Sequence, residues 1–165
     1  MSDELSKKEA KRKKSLGELG ELFSIKALVD NSFEKICNFN DKKMNYPYAD
    51  LYEEKKGKKY IVSVKARNKY QKNGTLNSRY KLSNKTYLHA AELAEKFDAE
   101  AYWMAVQFDN ETVSIYYGSL AELNQSFGIP INKCESGSIG EIFLKDQKHY
   151  FDFSYFKNED NTLKK

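Results

Sequence analysis

The spacing of apolar residues predicts three helices. In LGELGELFSIKALVD they recur at helical intervals, which predicts a helix from near Ser15 to about residue 30 with Ser15 as its N-cap. A second helix is expected in SNKTYLHAAELAEKF, residues 83–97, with Ser83 as its cap. The segment SLAELNQSF, residues 119–127, predicts a shorter third helix.

Extended segments alternate with these helices. The predicted strands are FEKICNF (33–39), ADLYEE (49–54), YIVSVKAR (60–67), AEAYWMAVQFD (99–109), ETVSIYYG (111–118), EIFLKD (141–146) and HYFDFSYF (149–156). Residues 68–84 are polar and basic, and we expect a long loop there that orders on binding. This order of elements predicts an α/β fold, a mixed β-sheet flanked by helices in a single domain.

Length and composition agree with one folded domain. The chain has 165 residues, of which 40% are hydrophobic and 32% charged. We assign residues 15–156 to the domain, 1–14 to a flexible basic N-terminal segment and 157–165 to a flexible tail.

Targeting and cysteine signals are absent from the sequence. No apolar run reaches the length of a membrane span, and the N-terminus lacks a signal-peptide core, so we expect no membrane partner and a cytoplasmic location. Cys37 and Cys134 lie far apart without metal-ligand spacing, which leaves reduced thiols as the expectation.

Basic residues are segregated along the chain. Residues 55–85 contain eleven Lys or Arg and no Asp or Glu, and residues 7–14 contain six basic residues and one acid. Such a surface attracts polyanions, nucleic acid above all, although a purely solubilising face has the same composition. The phosphate-contact candidates are Arg67, Lys69, Lys72, Arg79, Lys81 and Lys85, with Tyr70 and Tyr80 as base-stacking candidates.

A hairpin around KKGKK brings an acid and a lysine onto one face. A two-residue turn of Lys56 and Gly57 pairs Asp50 with Ser63, whereas a turn of Gly57 and Lys58 pairs Asp50 with Lys65. Either register leaves the apolar residues of the strand on the opposite, core-facing side. A carboxylate beside a lysine is either a surface ion pair or a functional pair.

Glu21 is a third candidate for a charged functional residue, besides Asp50 and Lys65. It lies one helical turn before Ile25, near the face that should pack on the sheet. A carboxylate in that position needs a partner, although an ordinary solvated glutamate is the simpler interpretation.

An acid on the first helix, an acid opening one strand and a lysine on the next strand resemble the PD-(D/E)xK nuclease superfamily, which includes restriction endonucleases and Holliday-junction resolvases. The resemblance spans residues 16–118, through GELFSIKAL, YPYADLYEE, IVSVKAR and the following FDAEAYWMAVQFDNETVSIYYGSLAEL. It implies a restriction-endonuclease-like fold and a metal-dependent endonuclease that hydrolyses phosphodiester bonds in DNA.

The resemblance also implies roles for individual residues. Glu21 and Asp50 would bind Mg²⁺ or Mn²⁺, with the Val64 carbonyl as a further ligand. Lys65 would orient the attacking water or stabilise charge on the phosphate. Ser63 stands where the family carries Asp or Glu, and its hydroxyl would bond a metal-bound water.

Ser63 also motivates an alternative, a catalytically inactive nucleic-acid-binding module on the same fold. A third interpretation is a protein-interaction domain whose basic face binds an acidic partner. DNA is the expected partner, with RNA as a second candidate, and the resolvase resemblance implies a homodimer.

Overall fold

One mixed β-sheet organises the fold, and the computed structural model describes it over residues 2–148. The helices are α1 (Ser2–Asp30), α2 (Thr86–Phe97) and α3 (Ile131–Glu135), and Leu120–Leu123 forms a 3-10 turn. The strands are β1 (Glu34–Asn38), β2 (Leu51–Lys55), β3 (Lys58–Asn68), β4 (Arg79–Lys81), β5 (Glu100–Asp109), β6 (Thr112–Ser119), β7 (Gly128–Pro130), β8 (Glu141–Ile142) and β9 (Gln147–Lys148).

The strand order of the main sheet is β1-β2-β3-β5-β6-β8, and β9 also pairs with β6. Strands β3 and β5 run parallel, whereas the other pairs of this sheet are antiparallel. Strands β4 and β7 form a separate antiparallel pair. The predicted class, an α/β domain with helices flanking a mixed sheet, is confirmed.

The sheet is covered on both faces. Helix α1 packs on one face, where Leu28 of the helix shares a core with Val62 and Met104 of the sheet. On the other face, Leu93 of α2 packs with Ile61. Because side chains alternate along a strand, Val62 and Ile61 belong to opposite faces, and so do their two cores.

The β2–β3 hairpin decides between the two registers that the sequence left open. Leu51 pairs with Val62 and Lys55 with Lys58, so the turn consists of Lys56 and Gly57. Both turn residues have positive φ, 52° and 80°, as a type I′ turn requires. This register places Asp50, the residue before β2, beside Ser63 instead of opposite Lys65.

Helix α1 is longer than predicted. It begins at Ser2, and the predicted start near Ser15 is therefore wrong. Residues 2–14 are rich in Lys, which favours helix, and Glu9 pairs with Arg12 one turn along. Apolar periodicity missed these turns because most of their described side chains are exposed and so show no buried face.

The segment 68–84 is more ordered than a single loop. It contains β4, and an isolated bridge joins Tyr70 to Leu76. The prediction of Tyr80 as a base-stacking group is wrong, because its side chain is fully buried. The residue pairs with Ile129 of β7. Helix α2 begins at Thr86, while the Ser83 hydroxyl accepts the Lys85 N–H at 3.2 Å in the preceding turn.

The last predicted strands differ from the structure. The segment EIFLKD contributes only the two-residue strand β8, and β7 and α3 were not predicted. The predicted strand 149–156 and the predicted tail 157–165 lie outside the described residues. Within residues 2–148, no helix is long and apolar enough to cross a membrane.

Candidate active site

Asp50 lies at the end of the hairpin, where strand pairing stops. Its Oδ2 accepts a hydrogen bond from the backbone N–H of Val64 at 2.8 Å. Since Val64 extends beyond the last β2–β3 pair, the carboxylate takes the place of the missing strand carbonyl. The second oxygen, Oδ1, lies 3.3 Å from Nδ2 of Asn40.

Glu21 approaches the same point from α1. Its Oε2 accepts a hydrogen bond from Asn40 Nδ2 at 2.6 Å, and its Oε1 lies 3.3 Å from Nδ2 of Asn38. The Asn40 amide therefore donates to both Glu21 and Asp50. The structure brings together the two carboxylates that the sequence placed on different elements.

Burial acts on both acids in the same direction. Burial raises the pKa of Asp50, against the opposing effects of the Val64 N–H, Asn40 and Lys65. Burial also raises the pKa of Glu21, and the negative charge of Asp50 raises it further. Both carboxylates are thus less stable as anions than in water, which a bound cation would offset.

Lys65 completes the group on the hairpin. Burial lowers its pKa, and the nearby charge of Asp50 opposes that shift. Within the described part of the chain, its ammonium makes no ion pair. A half-buried lysine without an ion pair, within the electrostatic reach of Asp50, has donors free for a phosphate or a water.

Ser63 and Val64 occupy the stretch between the acid and the lysine. Ser63 is 4% exposed and is aligned with Trp103 of β5. Val64 contacts Asp50 through its N–H, and its carbonyl as a metal ligand stays a prediction.

The predicted phosphate contacts lie on different elements. Arg67 is an exposed residue near the end of β3. Arg79 and Lys81 belong to β4, and Lys85 precedes α2. Lys69 lies 4.0 Å from Asp109 and from Glu135, so its charge is partly balanced. Arg79 donates to Ser126 Oγ at 2.7 Å, whereas Lys72, Lys81 and Lys85 are exposed.

Asn38 and Asn40 were not predicted from the sequence. They flank Phe39, which is 3% exposed and packs in a core. The alternation in CNFN is the signal that places both amides on the side opposite this buried ring.

Two cavities flank the basic part of α1. The first, about 570 Å³, is lined by Glu21 and Asn40 together with Lys13 and Lys14. The second, about 400 Å³, is lined by Lys13 again, with Arg12 and Arg67. The basic turns of α1 therefore border the candidate active site directly.

The donor set fits a hard cation held mainly by carboxylates and water. The carboxylate oxygens of Glu21 and Asp50 are ligands of the type that suits Mg²⁺ or Mn²⁺. In this structure the amide N–H group of Asn40 lies between them and donates to both. Among residues 2–148, no group of three His, Cys, Asp or Glu side chains is placed to hold a metal. The protein offers two carboxylates here, and further ligands would be water or main-chain oxygen.

Comparison with known proteins supports the fold. No protein-family model and no curated protein sequence matches the chain. Among solved structures, the chain is similar to one with a restriction-endonuclease-like fold. That structure is Hjc, a Holliday junction resolvase from the archaeal hyperthermophile Archaeoglobus fulgidus, with TM-score 0.55 and 17% sequence identity over 76% of this chain and 89% of that chain.

Proposed function

We propose that this protein is a metal-dependent endonuclease that hydrolyses phosphodiester bonds in DNA, with a resolvase-like or restriction-like site. The observation that carries the proposal is the convergence of Glu21 and Asp50 on the Asn40 amide, next to the half-buried Lys65. The similarity of the fold to a resolvase supports it.

Each residue of the site has a proposed role. Glu21 and Asp50 hold a Mg²⁺ or Mn²⁺ ion, with the Val64 carbonyl as a further ligand. When bound, the metal polarises the scissile phosphate and lowers the pKa of a coordinated water. Lys65 donates hydrogen bonds to the phosphate or the attacking water, and Ser63 orients a water through its hydroxyl.

The basic turns of α1 supply a surface for the flanking phosphates. Lys13 and Lys14 are exposed and line the cavity that contains Glu21. Glu9 of the same turns lies within the electrostatic reach of Lys72, so α1 runs beside the basic segment that follows β3. The proposed DNA path runs between these two basic segments, with RNA as a second candidate partner.

An inactive nucleic-acid-binding module is the second candidate. The observation that favours it is the pair of carboxylates, since Ser63 supplies no third acid and Asp50 already accepts the Val64 N–H. The cytoplasmic location and the homodimer stay predictions under either function.

One assay separates the two candidates. The protein is incubated with supercoiled plasmid, linear duplex and four-way junction DNA in Mg²⁺ or Mn²⁺, beside the Asp50→Asn and Lys65→Ala variants. Lys59→Ala serves as the matched control, because Lys59 is exposed near the opposite end of the same strand.

The nuclease predicts cleavage by the protein and by Lys59→Ala, and none by the two site variants. Salt-sensitive binding without cleavage would favour the inactive module. Cleavage that persists in both site variants would rule out this site.

A further inference from the structure

The side-chain amide of Asn40 bridges the two acids of the candidate active site. Its nitrogen, Nδ2, donates to Glu21 Oε2 at 2.6 Å and lies 3.3 Å from Asp50 Oδ1. The side chain is exposed and belongs to the wall of the cavity of about 570 Å³ that Glu21 also lines. Within the described residues, the amide oxygen Oδ1 of Asn40 accepts no hydrogen bond, so only the donor end of the amide is used.

The main chain of Asn40 is held on both sides. Its N–H donates to Asn38 Oδ1 at 2.9 Å, and its carbonyl accepts the N–H of Lys43 at 3.1 Å. The N–H of the preceding residue, Phe39, donates to the Asp50 carbonyl at 2.9 Å and ties this turn to the residue before β2. The backbone therefore fixes Asn40 next to the acids, and rotation of its side-chain amide is the freedom that remains.

Asn38 provides the contrast. Its Oδ1 accepts the backbone N–H groups of Asn40 at 2.9 Å and of Asp41 at 3.4 Å, while its Nδ2 lies 3.3 Å from Glu21 Oε1. Exchange of its oxygen and nitrogen would set the NH₂ group against two N–H donors and turn the oxygen towards a carboxylate. The Asn38 amide thus has one acceptable orientation, whereas the orientation of the Asn40 amide is set by the two carboxylates.

A cation at Glu21 and Asp50 would reverse the preference of the Asn40 amide. Two carboxylates alone attract the NH₂ group and repel the oxygen. A divalent cation held by the same carboxylates repels the NH₂ group and attracts the oxygen. Rotation about Cβ–Cγ exchanges the two ends, and this torsion is broad and roughly two-fold. Oδ1 can therefore take the place of Nδ2, the atom that now contacts both acids.

The ligand set of the site has room for such an oxygen. Over the described part of the chain, no third His, Cys, Asp or Glu joins Glu21 and Asp50 in a metal-binding group. Mg²⁺ and Mn²⁺ prefer oxygen ligands, and side-chain amide oxygens are among those that proteins supply to hard cations. An amide oxygen adds a ligand without adding a third negative charge beside two carboxylates.

We propose that Asn40 is a third side-chain ligand of the metal site. Its amide donates to Glu21 and Asp50 in the absence of a cation, and it turns over to present Oδ1 when a divalent cation binds. The inference rests on the proposed function in one respect, the placement of the cation at Glu21 and Asp50. It assigns to Asn40 a ligand position that water would otherwise fill.

Titration with Mn²⁺ alone, by isothermal titration calorimetry without nucleic acid, tests the inference. The side chain of Asn40 is exposed, so Asn40→Ala should retain the fold. It should lower the affinity for Mn²⁺ about tenfold or more, since even residues that only orient metal ligands contribute about 10- to 100-fold. An amide that served only as a donor would compete with the cation, and its removal would leave the affinity unchanged or raise it. Unchanged or tighter Mn²⁺ binding by Asn40→Ala therefore overturns the inference.

Spectroscopy of the Mn²⁺-bound protein separates coordination from an indirect effect of Asn40 on the acids. The protein is labelled with ¹³C at the side-chain carbonyl of asparagine, and electron–nuclear double resonance detects carbon close to the ion. A ligand amide should give a resolved ¹³C coupling that is lost in Asn40→Ala. A Mn²⁺-bound protein without this coupling, or one that retains it in Asn40→Ala, contradicts coordination by Asn40.

Asp41→Asn is the matched control on the same cavity wall. Asp41 follows Asn40, lines the cavity and lies within the electrostatic reach of Glu21. At high salt, Asp41→Asn should weaken Mn²⁺ binding less than Asn40→Ala although it removes a full charge, because salt screens exposed charges that are not in contact. A larger loss in Asp41→Asn would assign the third ligand to Asp41 and overturn the inference.

The outcomes separate this inference from the proposed function. Mn²⁺ binding that depends on Asp50 and Asn40, without any cleavage of DNA, refutes the nuclease alone. Cleavage with an unchanged Mn²⁺ affinity in Asn40→Ala refutes the role of Asn40 alone. Absence of Mn²⁺ binding, or binding that Asp50→Asn does not weaken, refutes both.

Discussion

The carboxylate of Asp50 accepts the backbone N–H of Val64 at 2.8 Å, so one side chain both completes strand pairing and contributes to the candidate active site. The two roles are separable by substitution. Asp50→Ala removes the acceptor and should lower the free energy of unfolding by about 1 to 2 kcal/mol. Asp50→Asn keeps an acceptor oxygen and should retain most of that stability, while both variants lose cleavage.

Urea unfolding followed by circular dichroism measures the difference between these two variants. Equal losses of stability in Asp50→Ala and Asp50→Asn would show that the asparagine oxygen does not replace the carboxylate as the acceptor of the Val64 N–H. Retained cleavage by Asp50→Asn would contradict a metal-ligand role for the carboxylate.

Gly20 holds α1 close to the sheet immediately before Glu21. A Cβ at Gly20 would lie 2.5 Å from the Cβ of Ala66, whereas a Cβ at Gly17 has nothing within 4 Å. Gly20→Ala should therefore destabilise the protein by about 1 to 3 kcal/mol and displace Glu21. Gly17→Ala should instead stabilise it by about 0.5 to 1 kcal/mol, because the helix loses less backbone entropy.

Thermal unfolding of both glycine variants checks this opposition. Gly20→Ala should also lose cleavage through the displaced Glu21, and Gly17→Ala should retain the fold. Similar melting temperatures for the two would contradict the close approach of α1 to β3.

Ser63 is the position at which an added acid reports on the metal. Ser63→Asp places a carboxylate at a site that is 4% exposed, so it should destabilise the metal-free protein. Added Mg²⁺ should raise the melting temperature of this variant more than that of the uncharged, isosteric Ser63→Asn, because ligand binding stabilises the folded state. Equal Mg²⁺ responses of the two variants would indicate that no cation binds beside Ser63.

The basic turns of α1 should contact phosphates. Changing Lys13 and Lys14 to glutamine should weaken DNA binding at all sequences and reduce the salt dependence by about one unit of slope per lost contact. Lys26→Gln is the control on the same helix, since Lys26 is exposed and pairs with Asp30. Anisotropy titrations at several salt concentrations measure both effects, and an equal effect of Lys26→Gln would argue against a specific contact surface.

Glu53 makes stability depend on pH. Its side chain is fully buried on the α1 face beside the Tyr117 hydroxyl, and burial raises its pKa to about 8 against the opposing effect of that hydroxyl. Between its ordinary pKa of 4.5 and 8, the folded state binds the proton that the unfolded state has released. Stability from this group is therefore complete below pH 4.5 and is lost as pH rises towards 8.

Glu53→Gln should remove this contribution. The difference in unfolding free energy between the protein and the variant should change by on the order of 1 kcal/mol per pH unit in this window and level off above it. Denaturation series at several pH values measure the slope, and parallel pH profiles would show that Glu53 does not titrate on unfolding.

The local pattern of the sequence was enough to predict the hairpin and the two long strands after it. Alternation in YIVSVKAR and the glycine in KKGKK are local signals, and they correctly put Val62 on the core side. The same pattern was silent where no buried face exists, as in the first turns of α1, and where short strands depend on distant partners, as in β4 and β7.

The sequence by itself determined the fold class, the hairpin and the candidate acids, because periodicity and turn chemistry act between neighbouring residues. Only the tertiary structure decided which groups meet. The contact of Asn40 with Glu21 spans 19 positions and that with Asp50 spans 10, and Tyr80 is buried by a strand that lies far along the chain. Such contacts arise from how helices and strands pack on the sheet, which no local pattern of apolar and polar residues specifies.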